Sequence, residues 1–220
     1  MYTWDFNILW TYRWLFVEGT AVTIALTIGI IVLGLLLGLI GGLAQLSKSA
    51  TLRWASWLYI EIFRCTPLLV QLLWCYYALP ILTGIEMSAT TAAVLTLSLY
   101  GGSFYAEVIR GGIVSIEPGQ SEAGLALGLT PARVMRRIIL PQALKRMIPP
   151  LMNQSIIQFK NTSLVSVLAV PDLLYQGQVA AMDTYRPLEV YTVIAVIYFI
   201  VLVPLTAVVK KSEKLLQESN

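Results

Sequence analysis

An apolar stretch over residues 59–74, YIEIFRCTPLLVQLLW, contains two charged side chains, the carboxylate of Glu61 and the guanidinium of Arg64. Together these groups could bind the ammonium and the carboxylate of a zwitterion. Because they are three residues apart, they could equally form an intrahelical ion pair and neutralise each other. At the centre of a bilayer each charge costs roughly 2.5–3.5 kcal/mol on insertion scales, so the stretch indicates a specific reason for carrying both.

Further polar side chains lie in apolar segments and follow helical faces. One of them shares the face of Glu61 and Arg64. Four more occupy an arc of about 100° on a later segment, namely Gln154, Gln158, Asn161 and Thr162. Lys160 points to another side of that later segment. The alternative for the later group is hydrogen bonding between helices of a dimer, worth about 1 kcal/mol or less for each bond. The residues predicted to contact a solute are Glu61, Arg64, Gln71, Gln154, Gln158, Lys160 and Asn161.

The composition is typical of a membrane protein rather than of a soluble domain. Of the 220 residues 57% are hydrophobic and only 12% are charged, and the mean hydropathy is +0.74. Soluble domains carry about 25% charged residues. The chain contains no histidine, which excludes Ser-His and Cys-His catalysis and removes the commonest metal ligand. We therefore expect neither an enzyme nor a metal site.

The apolar runs predict an all-α membrane protein with five transmembrane helices in a single domain, residues 1–220. Pro67 interrupts the second span and predicts a broken helix there, with freed carbonyls that could line a cavity. Residues 1–18 carry aromatic rings at positions 4, 6, 10, 12 and 14 and are expected to lie at the membrane interface. The predicted spans cover about residues 19–46, 53–79, 87–109, 146–170 and 190–209.

Lys and Arg are distributed very unequally between the two sides of these spans. Eleven of them would flank one side, and only Arg13 and Arg186 the other. The positive-inside rule therefore predicts the N-terminus outside and the C-terminus in the cytoplasm. With five spans, the basic loop between the third and the fourth is also predicted to be cytoplasmic.

This loop, residues 117–142, has the pattern of two short helices. Gly128 is expected to end the first helix. Thr130 as N-cap and Pro131 at the first helical position are expected to begin the second, and Pro141 to end it. Arginines on the second helix could contact anionic lipid, whereas a DNA-reading helix pair is excluded by its tethering between two spans, so no nucleic acid is expected as a partner. These arginines are Arg133, Arg136 and Arg137.

Residues 122–141, EAGLALGLTPARVMRRIILP, resemble the EAA loop of ABC-transporter permease subunits. That pattern is Glu-Ala-Ala, three residues, Gly, nine residues and Ile-x-Leu-Pro, and Gly124 is its only departure. Two further stretches, IEIFRCTPLLVQL and YAEVIRGGIVSIEPGQSEAG, resemble the polar amino-acid branch of these permeases, with Cys65 in place of a glycine. The resemblance implies a coupling loop that docks into an ATP-binding subunit. The residues assigned to this coupling are Glu122, Ala123, Gly128, Arg133, Arg136, Arg137 and Pro141.

The resemblance also implies the function and the partners. The chain would be the permease subunit of an ATP-driven importer that moves a polar amino acid through a midplane site in a permease dimer, and Glu61 favours a cationic substrate. An ATP-binding cassette subunit would hold ATP and Mg, and an external substrate-binding protein would deliver the substrate.

No cofactor is expected on this chain, which lacks a G-x-x-x-x-G-K-[ST] phosphate loop. The implied location is the cytoplasmic (inner) membrane of a prokaryote. The alternative is an ion-gradient-driven transporter or channel that works without an ATPase, although the sequence shows neither inverted repeats nor carboxylates along several spans.

Overall fold

The computed structural model describes residues 2–217, with the side chains of residues 2–214, and every regular element in this range is a helix. Met1 of the predicted interfacial segment and residues 218–220 of the predicted domain lie outside the described residues. The helices are α1 (Asn7–Thr11), α2 (Arg13–Gln45), α3 (Ala50–Cys65), α4 (Leu68–Thr83), α5 (Ala89–Val114), α6 (Pro118–Ala126), α7 (Pro131–Leu168), α8 (Leu173–Thr184) and α9 (Pro187–Gln217).

Three of the described helices, α2, α5 and α9, are each long and apolar enough to cross a membrane alone. Two further helix pairs pass the same criterion together but are bent, α3 with α4 by 108° and α7 with α8 by 48°. The described chain therefore has three candidate spans, or up to five if each bent pair is one span. The count of five and the orientation in the membrane stay predictions.

Helix α3 breaks at the Thr66–Pro67 step, as expected from the proline. Thr66 has an extended backbone, with φ −111° and ψ 144°, which is the conformation favoured before proline. The bend changes the predicted position of Gln71, because a single helical face no longer continues from α3 into α4. The side-chain amide of Gln71 instead donates to the carbonyl oxygens of Phe63 (2.9 Å) and Thr66 (3.0 Å) and closes the end of α3.

Helices α2 and α5 approach each other closely through glycines. A Cβ built on Gly38 would lie 2.5 Å from the Cβ of Tyr105. At one further contact, between α5 and α7, a Cβ on Gly112 would lie 2.1 Å from the Cγ of Met147. Real Cβ atoms do not approach this closely, so these positions fix the distance between the helix axes.

The loop between α5 and α7 folds as the sequence predicts at its turn. Gly128 has a positive φ of 77°, its N–H donates to the carbonyl of Leu125, and the N–H of Leu129 donates to that of Gly124. This is the bonding pattern of a Schellman motif, which ends α6. Thr130 then occupies the N-cap position and Pro131 the first turn of α7.

Pro141 does not end the second helix of this loop, and that expectation was wrong. Helix α7 runs from Pro131 to Leu168 through Pro141, and Pro149 and Pro150 also lie inside it. A wider turn over Met135–Ile139 precedes Pro141, with the N–H of Leu140 bonded back to the carbonyl of Met135. Such a turn changes the hydrogen-bond register and accommodates a residue without an N–H. The second loop helix and the fourth apolar segment are therefore one helix.

Candidate functional site

Glu61 and Arg64 do not pair with each other. The Nη1 of Arg64 lies 3.6 Å from the Oε2 of Glu107 on α5, and the Oε2 of Glu61 accepts a hydrogen bond from the Sγ of Cys65 at 3.1 Å. The intrahelical ion pair considered from the spacing is therefore wrong. Arg64 stands in the last turn of α3, from which its long side chain reaches the neighbouring helix.

Glu107 joins three helices in what we call the Glu107 cluster, which consists of Gln45, Arg64, Glu107 and Arg110. Its carboxylate accepts from the Nη2 of Arg110 at 3.1 Å and from the Nε2 of Gln45 at 3.2 Å. The guanidinium of Arg64 also lies 5.6 Å from the centre of the Phe104 ring, within the range of a cation–π contact. The cluster thus contains two positive groups and one negative group, and none of the three charged side chains is fully buried.

The two glutamines of the later polar group are buried between helices rather than exposed along a path. The side chain of Gln158 is completely buried, and its Nε2 donates to the carbonyl of Leu97 on α5 at 2.6 Å. Asn161 donates to the Oε1 of Gln158 at 3.2 Å, and Gln154 is 8% exposed. Within this chain Gln158 connects α7 to α5, and a contact with a solute stays a prediction for each of these three amides.

Lys160 differs from its polar neighbours on α7 in being exposed. The ion pairs among the described residues do not involve it. Because it lies on another side of α7 than Gln158, its ammonium is free to meet groups from outside this chain. The separation of Lys160 from the amide group, predicted from the helical wheel, is thus confirmed.

All seven residues assigned to coupling are exposed: Glu122, Ala123, Gly128, Arg133, Arg136, Arg137 and Pro141. Beside them the side chains of Leu125 and Leu127 are also exposed, Leu127 to 82%. An apolar patch next to exposed arginines is the usual composition of a protein docking surface. We call this surface, α6 together with residues 131–141, the loop surface.

Gly124, the departure from the EAA pattern, has a packing reason. A Cβ at this position would lie 2.8 Å from the Cδ1 of Ile138 and 2.9 Å from a Cγ of Val134. Val134 is buried and Ile138 partly buried, and both lie against Gly124 of α6. The glycine thus lets α6 lie closer to α7 than an alanine would.

Sequence reasoning missed the contribution of α5 to the candidate site. Tyr100 and Phe104 form a ring pair with centroids 4.9 Å apart, and Glu107 follows one turn later on the same helix. Their spacing of four and three residues was a signal that one face of α5 carries them all. The contact of Glu107 with Arg64 joins two helices and was not predicted from the sequence.

Comparison with known proteins agrees with this architecture. Residues 30–216 match the family described as binding-protein-dependent transport system inner membrane component, and the chain belongs to this family. It is 37% identical over 211 residues to the glutamine transport system permease protein of Escherichia coli (strain K12), and the aligned region covers 96% of each chain.

Two further similarities extend over nearly the whole chain. The arginine transport system permease protein of Bacillus subtilis (strain 168) is 34% identical over 203 residues, which is 92% of this chain and 93% of the relative. Among solved structures, an amino acid ABC transporter crystallised with histidines is 37% identical with a TM-score of 0.92, and covers 97% of this chain and 99% of that one.

Proposed function

We propose that this chain is the permease subunit of an ATP-driven importer for polar amino acids. The observation that carries the proposal is Arg64, a guanidinium inside an apolar segment whose N–H groups form no hydrogen bond within the described residues. Relatives named as glutamine and arginine permeases support the substrate class. A guanidinium with free donors binds the carboxylate that all amino acids share, in a bidentate geometry.

The remaining charged residues complete this proposed site. Glu61, which is partly exposed and close to Arg64 in the sequence, would accept a hydrogen bond from the substrate's α-ammonium or from a cationic side chain, and the second contact would favour cationic substrates. Lys160 and Asn161 would contribute from α7. Gln71, Gln154 and Gln158 would position the surrounding helices, since their amides are bonded or buried within the chain.

A second permease subunit is part of this proposal. Many large apolar side chains are exposed along α2, α4 and α9, and only 11% of the apolar window of α9 is buried within this chain. A sealed path for a charged solute requires more protein around it than one such chain provides. The site would therefore lie at the midplane of a permease dimer in the cytoplasmic membrane of a prokaryote.

The loop surface is the proposed docking site for the ATP-binding subunit, which would hold ATP and Mg. Its exposed arginines and leucines fit a partner that offers an acidic and apolar cleft. The opposite end, which carries the N-terminal segment and the loop between α8 and α9, would receive substrate from an external binding protein. In this arrangement the N-terminus is outside and the loop surface is cytoplasmic.

The substitution Glu122→Lys tests the coupling role. We expect it to abolish co-elution with the ATP-binding subunit or to reduce ATP-driven uptake at least 10-fold, because it reverses a charge at the centre of the loop surface. The matched control is Glu86→Lys, the same charge reversal on an exposed carboxylate far from this surface, which should co-elute normally.

Two results would contradict the proposed function. One is unchanged ATP-driven uptake by the Glu122→Lys variant in proteoliposomes. The other is stable, substrate-driven flux through this chain alone without ATP, which would favour the ion-gradient transporter or channel instead.

A further inference from the structure

The contact between Arg64 and Glu107 is the loosest in the Glu107 cluster. Its 3.6 Å separation exceeds the 2.7–3.2 Å of an N–H···O hydrogen bond, whereas Arg110 contacts the same carboxylate at 3.1 Å. The side chain of Arg64 is 37% exposed, and its guanidinium rests against the Phe104 ring. Arg64 therefore keeps its donors available while a carboxylate remains within reach.

Glu107 does not depend on Arg64 for its own stabilisation. Arg110 donates to both of its oxygens, from Nε at 3.4 Å and from Nη2 at 3.1 Å, and Gln45 donates to Oε1. If Arg64 moved away, the carboxylate would still be neutralised by a guanidinium on its own helix. Arg64 can thus exchange partners without leaving a buried, unpaired charge behind, which is the costly outcome when most buried pairs are broken.

We propose that Glu107 occupies Arg64 in place of the substrate carboxylate, and that an amino acid displaces it from Arg64 when it binds. This inference rests on the proposed function. In the empty chain Glu107 holds α3 against α5 through Arg64. A bound substrate takes the guanidinium, Glu107 stays on Arg110, and the ionic contact between α3 and α5 is released, while the hydrogen bond from Tyr59 to Leu99 remains. Glu107 is therefore a positioning residue that acts through Arg64.

The exchange predicts that Glu107 competes with substrate. The substitution Glu107→Gln keeps the shape and the neutral hydrogen-bonding capacity but removes the competing charge. An exposed or half-exposed ion pair of this kind contributes about 0.4–1 kcal/mol, so the affinity for substrate should rise by about 2- to 5-fold. A purely structural role for Glu107 would give unchanged or weaker binding.

The experiment is equilibrium binding of labelled arginine and glutamine to the purified complex of permease and ATP-binding subunit, without the external binding protein. We expect the Arg64→Gln variant to bind at least 10-fold more weakly, because the charge-assisted contact with the carboxylate is lost. The double variant Arg64→Gln/Glu107→Gln should bind like Arg64→Gln alone, since Glu107 acts only through Arg64.

Two controls distinguish competition between Glu107 and the substrate carboxylate from a general weakening of the contact between α3 and α5. The hydrogen bond from Tyr59 on α3 to the carbonyl of Leu99 on α5 (2.7 Å) connects the same two helices without charge. The substitution Tyr59→Phe removes this bond. Its affinity for substrate should equal that of the unmodified complex. Agmatine, which is arginine without its α-carboxylate, cannot displace Glu107, so the Glu107→Gln variant should show no gain in affinity for it.

The outcomes distinguish the inference from the function on which it rests. If the unmodified complex binds arginine or glutamine and Glu107→Gln has equal or lower affinity, the exchange is wrong while the importer proposal stands. A gain that persists in the Arg64→Gln background, or that extends to agmatine, also overturns the exchange. If the unmodified complex binds no amino acid, the proposed function itself fails.

Discussion

Two carboxylates of this chain pair with an arginine three residues away, yet their surroundings differ. Arg110 follows Glu107 on α5, whereas Arg186 directly precedes α9, the helix that carries Glu189. Glu189 pairs with Arg186 at 3.1 Å, and Glu107 with Arg110 at 3.1 Å. The side chain of Glu189 is only 1% exposed, whereas that of Glu107 is 26% exposed. The same local motif thus occurs once in closed protein and once at an accessible surface.

The partners of Glu189 form a complete set. Its carboxylate accepts from the hydroxyl of Tyr2 and the backbone N–H of Asp5, and Arg186 also donates to the carbonyl of Thr3 at 3.1 Å. These contacts hold the N-terminal segment on α9. At Glu107, in contrast, two guanidiniums share one carboxylate. An ion pair whose hydrogen-bonding groups all have partners thus holds elements of the fold together, whereas one with a surplus cation is suited to exchange of partners.

The largest expected effect is that of Glu189→Ala. This substitution removes the buried carboxylate that the hydroxyl of Tyr2, the N–H of Asp5 and the guanidinium of Arg186 share as their acceptor. We expect a thermal midpoint lower by roughly 5 °C or more for the purified complex, because each unsatisfied group carries a desolvation cost. A difference of about 1 °C or less lies within the precision of such scans. That result would contradict a structural role for the contacts of Glu189.

An intermediate effect is expected for Arg110→Gln. Among the residues that the structure describes, Arg64 would then be the only cationic partner of Glu107, so substrate would compete with a stronger contact. We expect arginine to bind about 2- to 3-fold more weakly, the opposite direction from Glu107→Gln. The matched variant Arg186→Gln should lower the thermal midpoint without changing substrate affinity. If both arginine variants behaved alike in both measurements, the distinction between the two sites would not hold.

The smallest effect is expected for Tyr2→Phe, which removes one of the three donors to Glu189 and leaves Arg186 and Asp5 in place. The thermal midpoint should fall by about 1–3 °C. The bond to the Glu189 carboxylate raises the pKa of the Tyr2 phenol. Tyr2 therefore remains a donor as the pH rises through mildly alkaline values, and the midpoint difference between the two proteins should persist up to about pH 9.

Local sequence signals predicted much of the fold. The apolar runs located the long helices, Pro67 located the break between α3 and α4, and Gly128, Thr130 and Pro131 located the turn of the loop surface. Each of these rests on interactions within a few residues, such as a missing N–H or a positive φ. The neighbours of such residues along the chain are sufficient to decide the outcome.

The candidate site depended on contacts that sequence spacing does not encode. Arg64 pairs with Glu107 and not with Glu61, although Glu61 is closer in the sequence. This pairing results from the way α3 packs against α5. Gln158 is buried because α5 covers it, which the polar arc alone did not indicate. Pro141 continues its helix because the preceding turn is wide, a change in register that overrides the usual effect of proline.

The continuity of α7 has a mechanical consequence. From Arg133 on the loop surface to Lys160 the helix is unbroken, a distance of about 40 Å at 1.5 Å per residue. A close contact with α5, between Met147 and Gly112, lies near the middle of that length, and the adjacent prolines Pro149 and Pro150 follow shortly after it. Met147 is thus placed as a pivot point between the two halves of α7. If α7 moved as a rigid body about Met147, a displacement of the arginines on the loop surface would move Lys160 in the opposite direction. Bending at Pro149 and Pro150 would prevent this transmission.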